Sequence, residues 1–202
     1  MSYDIELVDP VTRERLELPS EHVMTGGTYL AEYNEATGVF SPKPTREAWL
    51  NITYNYARYY YEATEGDARF AHDEISGYDA NGNPKPVVTR YGIRGIYGKT
   101  GADSIPMLQD MLKRIESAYK KDGQWIITTR EKRRYLNKSG KEVDFLYAIR
   151  HKEECTEEKY TEDVSEGPNN NYWEETAANA MRPLHQLIAM AKLRPDGIWD
   201  GD

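Results

Sequence analysis

The segment from 103 to 121 carries the clearest helical pattern in the chain. Its apolar residues recur at three- and four-residue intervals, as they do on one face of an amphipathic helix; they are Ile105, Leu108, Met111, Leu112, Ile115 and Tyr119. Asp103 or Ser104 is expected to cap this helix, and Pro106 suits its first turn. Basic residues late in the segment complement the helix dipole. The pattern therefore predicts one long helix with a single buried face.

Other segments show the two-residue alternation of strands. Residues 1–20 predict a hairpin around an Asp9-Pro10 turn, and residues 124–136 and 142–150 predict a second hairpin around 137–140. Shorter strands are expected at 28–32, 68–75 and 85–91, the last two joined by a turn at 79–84.

Two further helices complete the expected fold. Thr45 can cap a helix from 46 to about 64, although alternation of Ile52, Tyr54 and Tyr56 also fits a strand. The last helix is expected from about Glu174 to Leu193, with Pro183 at a kink or a start. We therefore predict a single α+β domain over 1–202, with about three helices packed on short antiparallel hairpins. Two segments extend from this domain: a turn-rich excursion at 65–92, and a basic hairpin plus acidic loop at 124–171.

Composition narrows the classes of protein that this chain can belong to. It has 202 residues, one cysteine (Cys155) and four scattered histidines, so a disulfide framework and a Cys-rich metal site are excluded. No run approaches the roughly 18 apolar residues of a membrane span, and the first residues do not resemble a signal peptide. The sequence predicts a cytoplasmic protein without a membrane association.

Charge is distributed unevenly along the chain. Residues 124–152 carry 8 basic and 3 acidic side chains, whereas residues 153–202 carry 4 basic and 12 acidic ones. The net charge of −8 disfavours non-specific binding of nucleic acid by the whole protein. The basic stretch could still contact a nucleic acid locally.

That basic stretch is the first candidate binding site. Arg130, Lys132, Arg133 and Arg134 lie near aromatic residues, a combination that suits contact with RNA phosphates. The alternative is a solvated hairpin face that the following acidic segment neutralises. The acidic segment itself could bind a basic partner surface, or it could be a flexible solubilising loop.

The second candidate is a cluster of tyrosines. Tyr54, Tyr59, Tyr60 and Tyr61 cannot all face inward from one helix, so some are expected to be exposed for a protein interface or for base stacking. Asn51 and Asn55 are interleaved with them and could contact a ligand edge. The alternative is a thick core helix whose polar tips reach water.

The third candidate is a glycine-rich loop that could bind an anion. Gly98-Lys99-Thr100 resembles the end of a phosphate loop, but the preceding glycine is out of register because position 93 is Ile93. Arg94, Lys99 and Thr100 nevertheless could hold an anion at the start of the long helix. A turn that only leads into the helix is the alternative.

We find no catalytic set in the sequence. Cys155 lies among glutamates, which disfavour a reactive thiolate, and no Ser-His-Asp or paired-carboxylate pattern is evident. The carboxylates around Trp199 could ligate a divalent cation, or they could simply stay in water. We expect no cofactor, no assigned metal ligand and a non-enzymatic protein.

Three blocks of the sequence resemble a family of small accessory proteins of phages and prophages. They are Ser2-Tyr-Asp-Ile-Glu-Leu-Val-Asp-Pro10, Ala48-Trp-Leu-Asn-Ile-Thr-Tyr-Asn-Tyr56 and Leu193-Arg-Pro-Asp-Gly-Ile-Trp-Asp-Gly-Asp202. The resemblance also includes residues 92–108, so that it covers about half of the chain in total. It implies an accessory protein acting in a bacterial host cell, and such proteins often counter host defence, including CRISPR systems.

Three functional hypotheses follow. The first is a non-enzymatic inhibitor that docks on a host protein or ribonucleoprotein, such as a nuclease with its guide RNA. The second is a sponge for a nucleotide signal, with stacking tyrosines and a phosphate-binding glycine loop. The third is a metal-dependent enzyme acting on nucleic acid.

Overall fold

Four α-helices and several small antiparallel sheets make up the computed structural model, which describes residues 2–23 and 31–202. The helices are α1 (Ala57–Thr64), α2 (Gly101–Tyr119), α3 (Phe145–Arg150) and α4 (Ala177–Leu193). The strands are β1 (Ser2–Val8), β2 (Glu17–His22), β3 (Ala31–Asn34), β4 (Val39–Pro42), β5 (Thr45–Glu47), β6 (Trp49–Thr53), β7 (Ala71–Ile75), β8 (Val87–Tyr91), β9 (Lys120–Lys121), β10 (Gln124–Trp125), β11 (Ile127–Asn137), β12 (Glu142–Val143), β13 (Cys155–Ser165) and β14 (Ile198–Gly201). The predicted α+β class is confirmed.

The central sheet joins distant parts of the sequence in the order β14–β1–β6. Ile5 of β1 lies opposite Gly201 on one side and Leu50 on the other. The three blocks that carry the family resemblance therefore contain the three strands of one sheet. The predicted hairpin over 1–20 is present near its turn, where Val8 and Arg15 form an antiparallel bridge and the Leu16 amide donates to the main-chain oxygen of Leu7. Beyond that point the prediction is wrong, because β2 pairs with β5 instead of β1.

The core lies between this sheet and the packed pair α2 and α4. The inward side chains of β1 are Tyr3, Ile5 and Leu7, which are fully buried, as the alternation predicts. Trp199 of β14 is also fully buried, and its indole nitrogen donates to Ser104 Oγ at 2.7 Å. This hydrogen bond satisfies a polar atom in an otherwise apolar core.

Both long helices differ from expectation at their starts. α2 begins at Gly101, because the Thr100 hydroxyl caps it by accepting from the Asp103 amide at 3.1 Å. α4 begins at Ala177 rather than Glu174, and Pro183 lies inside it. The predicted apolar stripe of α2 is confirmed: Leu108, Met111, Leu112 and Ile115 are buried, and Ile105 and Tyr119 at its ends are partly buried against the core.

The predicted helix from 46 to 64 is wrong in its first half. Thr45 begins a strand instead of capping a helix, and β6 follows until Thr53. Leu50 and Ile52 are buried on the sheet face, so the strand alternative holds for these residues. A 3₁₀ turn at Tyr54–Tyr56 then leads into α1.

The excursion at 65–92 contains the expected hairpin. β7 and β8 pair from Ala71 opposite Tyr91 to Ile75 opposite Val87. The Asp79 carboxylate accepts from the amides of Asn81 and Asn83 and thereby closes the predicted turn. Of the strand expected at 28–32, residues 28–30 lie outside the described part of the chain, and β3 begins at Ala31.

The region 124–171 differs most from expectation. The predicted turn at 137–140 is confirmed, and the two residues of β12 return to pair with β11. The rest of the return strand predicted at 142–150 is wrong, because α3 begins at Phe145. The long partner of β11, on its other edge, is β13, formed by most of the acidic segment expected to be a loop. The two strands pair over eleven residues, from Ile127 opposite Ser165 to Asn137 opposite Cys155. We call β11, β13 and everything between them, residues 127–165, the arm.

Candidate functional site

The arm lies outside the hydrophobic core. Over residues 126–171, which are all described, no apolar side chain belongs to the core or packs against it. Each strand of the arm has eleven residues, about 35 Å at 3.3 Å per residue. The arm is therefore a ribbon whose far end is held apart from the core.

The base of the arm is fastened to the core by a buried ion pair. Arg130 of β11 donates to the fully buried Glu166 carboxylate at 2.6 Å. The same carboxylate accepts further hydrogen bonds from Thr128, Tyr59, Arg58 and the amide of Ala177. Arg130 also donates to the main-chain oxygen of Glu175 just before α4. The network therefore links β11, α1 and the start of α4.

These contacts determine the charge of Glu166. Burial opposes its ionisation, but hydrogen bonds from Thr128, Arg130 and Tyr59 outweigh burial and lower its pKa below the usual 4.5. The carboxylate is thus ionised at neutral pH and balances the Arg130 guanidinium. The expectation that Arg130 binds a partner is wrong, because this side chain is 8% exposed and engaged within the protein.

The other predicted basic residues lie on the exposed ribbon, where each faces an acid of β13. Lys132 is paired with Glu162 at 2.8 Å, Arg133 with Glu157 at 3.2 Å and Arg134 with Glu158 at 2.9 Å. The strands β11 and β13 carry five basic and five acidic side chains together. The alternative interpretation, in which the acidic segment neutralises the basic one, describes this ribbon.

The tip of the arm presents an apolar surface. Asp144 caps α3, and its carboxylate accepts from the Tyr147 amide at 2.8 Å. Four large apolar side chains on this single short helix are exposed, at 57% for Phe145, 63% for Leu146, 39% for Tyr147 and 57% for Ile149. Isolated exposed apolar residues are ordinary, but a contiguous group on one element marks an interaction surface. We call these four residues the tip surface.

A groove of about 410 Å³ opens beside the tip surface. Phe145 and Ile149 of α3 form one side, and Tyr135 and Cys155 of the ribbon form the other. Tyr135 and Phe145 pack with ring centres 5.6 Å apart. An apolar side chain of a partner could enter this groove, and the tip surface would then contact the partner residues around that side chain.

Sequence reasoning missed both Glu166 and the tip surface. Glu166 is the last acid of a solvent-exposed acidic segment, and nothing in its sequence neighbourhood distinguishes it. The tip surface had a signal in the unbroken apolar run from Phe145 to Ile149 after a capping residue, Asp144. A two-turn helix cannot bury five consecutive apolar residues.

The predicted tyrosine surface is largely a core element. Tyr59 and Tyr60 are fully buried, so the prediction that they contact a partner is wrong. The Tyr60 hydroxyl donates to the main-chain oxygen of Ala180 in α4 at 2.9 Å. Tyr54 and Tyr61 are partly buried, with their hydroxyls 2.5 Å apart, and burial together with this hydrogen bond raises the pKa of Tyr54 to about 12. The core-helix alternative is the one that describes these residues.

The predicted asparagine contacts are also internal. The Asn51 side chain donates to Ser2 Oγ and to the Asp4 carboxylate at 2.9 and 2.8 Å. Asn55 is exposed, but its amide donates to the main-chain oxygen of Trp173 at 3.1 Å. Both residues join neighbouring segments of the fold.

The predicted phosphate site at the start of α2 is wrong for Thr100 and for the amides of the helix. The amide of Gly101 donates to the main-chain oxygen of Gly197, and the amide of Ala102 donates to that of Pro195. The next two amides donate to the hydroxyl and the main-chain oxygen of Thr100. The first four amides of the helix are therefore occupied, and Thr100 acts as a cap. Arg94 and Lys99, by contrast, both line a polar cleft on the neighbouring surface.

Across 2–23 and 31–202, no group of three or more His, Cys, Asp or Glu is arranged to hold a metal ion. None of the helices described in those ranges is long and apolar enough to cross a membrane. Comparison with protein-family models, curated proteins and solved structures finds no match.

Proposed function

We propose that this chain is a non-enzymatic binding protein that docks on another protein through the tip of its arm. The observation that carries the proposal is the tip surface: four large apolar side chains exposed on a six-residue helix at the end of a ribbon. Aromatic and aliphatic anchors of this kind supply most of the binding energy at protein interfaces.

The chemistry of the arm favours a protein partner over a nucleic acid. The basic side chains of β11 already face acids of β13, so little unpaired positive charge is left for phosphates. Residues 138–154 carry four basic and four acidic side chains, and the tip surface itself is uncharged. The matching surface is therefore an apolar depression in a protein with a polar rim.

The design of the arm also suits a docking role. The buried Arg130–Glu166 pair fixes its base, and continuous antiparallel pairing over eleven residues holds the ribbon in register. A binding element that is held in place before contact loses less conformational freedom on binding. The arm can thus present α3 to a recessed site on its target.

For the target, we propose a component of a bacterial defence system, such as a CRISPR nuclease, inhibited in the cytoplasm of the host cell. The support for this part is the resemblance of three sequence blocks to accessory proteins of phages and prophages. Docking of an apolar tip into a working cleft would block a nuclease without any chemistry by the inhibitor.

The test uses two matched triple variants in bacteria that carry a CRISPR nuclease directed at a plasmid. The tip variant combines Phe145→Ser, Leu146→Ser and Ile149→Ser. The control variant combines Val11→Ser, Val87→Ser and Leu193→Ser, which replace exposed apolar residues outside the arm. We expect the wild-type and control proteins to restore plasmid transformation and the tip variant to fail.

Two results would count against parts of this proposal. Equal protection by the tip variant would remove the tip surface from the mechanism. If the wild-type protein gave no protection against any defence system tested, the proposed defence target would be wrong. Docking of the tip surface on another protein would then be tested by a direct binding measurement.

A further inference from the structure

A polar cleft of about 520 Å³ lies on the body of the protein, away from the arm. It is bounded by β7 of the 71–91 hairpin, by the 3₁₀ turn at Ile93–Ile96 and by the last residues of β14. Its volume is in the range of small-molecule sites, roughly 300–1,000 Å³. Its lining is mostly polar, so an occupant must itself be polar.

Lys99 is distinctive among the lysines of this protein. In the part of the chain that the structure describes, three lysines are partly buried: Lys99, Lys120 and Lys132. Lys120 is paired with Glu116, and Lys132 is paired with Glu162 and Glu174. Lys99 lines the cleft, and its ammonium has no hydrogen-bond or ion-pair partner among residues 2–23 and 31–202.

The main chain fixes Lys99 at the edge of the cleft. Its amide donates to the main-chain oxygen of Ile96 at 3.0 Å, and its own oxygen accepts from the Trp199 amide at 3.0 Å. Because the backbone is held on both sides, the flexible Lys99 side chain always starts from the edge of the cleft. Such placement favours binding of a complementary charge.

Arg94 supplies a second, rigidly held cation in the same cleft. Its Nη1 donates to the Glu74 carboxylate at 3.1 Å, and its Nε donates to the main-chain oxygen of Asp202 at 2.8 Å. The guanidinium also lies over the Tyr3 ring, 5.2 Å from its centre. These contacts orient Arg94, so its charge acts on the cleft from a fixed position.

The acids that line the cleft are already engaged. Glu74 is paired with both Arg90 and Arg94, at 3.1 Å each. The Asp73 carboxylate accepts from the Thr89 hydroxyl at 2.9 Å, and that of Asp202 accepts from the Asp4 amide at 2.9 Å. The cleft groups without a hydrogen-bond partner are therefore side-chain nitrogens, the Lys99 ammonium and the buried Nε2 of His72.

From this arrangement we infer that the cleft binds the phosphate group of a small phosphorylated metabolite, with Lys99 as its direct contact and Arg94 as supporting charge. A phosphate monoester carries nearly two negative charges at neutral pH, whereas a carboxylate carries one. A phosphate therefore matches two cations better than a carboxylate does. This site uses none of the arm residues, and it goes beyond the docking function proposed above.

The test is isothermal titration calorimetry of the full chain with inorganic phosphate, AMP and acetate at constant ionic strength. We expect phosphate and AMP to bind with one site per chain and acetate to bind more weakly. Lys99→Gln should weaken phosphate binding by about tenfold or more, since it removes a charge-assisted contact. Lys113→Gln is the matched control, because Lys113 is an exposed lysine on α2.

Each other outcome would overturn the inference. Absence of binding in the wild-type protein, or unchanged binding in Lys99→Gln with an unchanged melting temperature, would remove the site. An equal loss in Lys113→Gln would reduce it to general charge attraction. Binding of acetate as tight as that of phosphate would contradict the phosphate assignment.

Discussion

At the scale of single residues, Glu166 holds more of the structure together than any acid on the arm. Its carboxylate is fully buried and compensates the charge of Arg130, while its hydrogen bonds reach α1 and the start of α4. Breaking a buried ion pair from one side leaves the other charge without compensation. An exposed pair on the ribbon has water as an alternative partner.

We therefore predict that Glu166→Gln lowers the free energy of unfolding by about 3–5 kcal/mol, the range for a broken buried pair. Glu131→Gln is the control: it removes the partner of Lys159 in an exposed pair, and it should lower stability by less than about 1 kcal/mol. Urea denaturation monitored by tryptophan fluorescence measures both. Equal effects in the two variants would show that the Glu166 network is not anchoring the arm.

The same residue also gives a pH dependence with a definite sign. The pKa of Glu166 is lower in the folded state than its usual 4.5, so the unfolded state binds the proton more readily. The stability from this carboxylate is complete above pH 4.5 and is lost as the pH falls further, through the folded-state pKa. In Glu166→Gln this part of the acid dependence should be absent.

At the scale of elements, the arm is a two-stranded ribbon with exposed ion pairs between its strands and a buried ion pair at its base. The exposed ion pairs between β11 and β13 each contribute little alone, because water screens them. Their main effect is to neutralise a strand that would otherwise attract nucleic acid.

This view predicts the effect of neutral substitutions on the ribbon. Arg133→Gln with Arg134→Gln should change the free energy of unfolding by no more than about 2 kcal/mol in total, and partner binding should be unchanged. Binding to the target measured by biolayer interferometry tests the second part. A loss of more than tenfold in affinity would mean that the basic strand itself contacts the partner.

The elements also show why sequence reasoning worked in some places and failed in others. α2 was predictable because one face is buried and one is wet, which leaves a periodic pattern. β13 has almost every side chain exposed, so neither face selects apolar residues and its acidic sequence reads as a loop. In β6, Trp49 and Ile52 fit helical spacing as well, together with Tyr56 just beyond the strand, and only the distant partner β1 determines a strand.

Prediction of the candidate site residues also succeeded where contacts are local in sequence and failed where they are distant. Arg94 and Lys99 share a cleft, as a local loop would suggest, because they are close in sequence. The sequence predicted surface positions for Tyr59, Tyr60 and Arg130. The segments that bury these residues lie far along the chain, at 166 and 175–180. A tertiary contact of this kind leaves no pattern in the local sequence.

At the scale of the whole molecule, the protein divides into a packed body and an arm that is attached to it. The body contains the central sheet, α2 and α4, whereas the tip of the arm contributes nothing to the core. We predict that residues 137–155 can be replaced by an Asn-Gly turn between Leu136 and Thr156, which are paired across the ribbon. The shortened chain should unfold cooperatively with a free energy of unfolding within about 1 kcal/mol of the wild type, in the range of surface changes. Loss of cooperative unfolding would show that the tip is part of the body.

The central claim is that the tip surface is where this protein meets its partner. The most direct measurement is quantitative affinity capture from a bacterial lysate with the wild-type, tip-variant and control-variant proteins side by side. We predict one or a few proteins that the wild-type and control chains enrich equally and the tip variant enriches at least tenfold less. Equal enrichment by the tip variant, or an equal loss in the control variant, would contradict the claim.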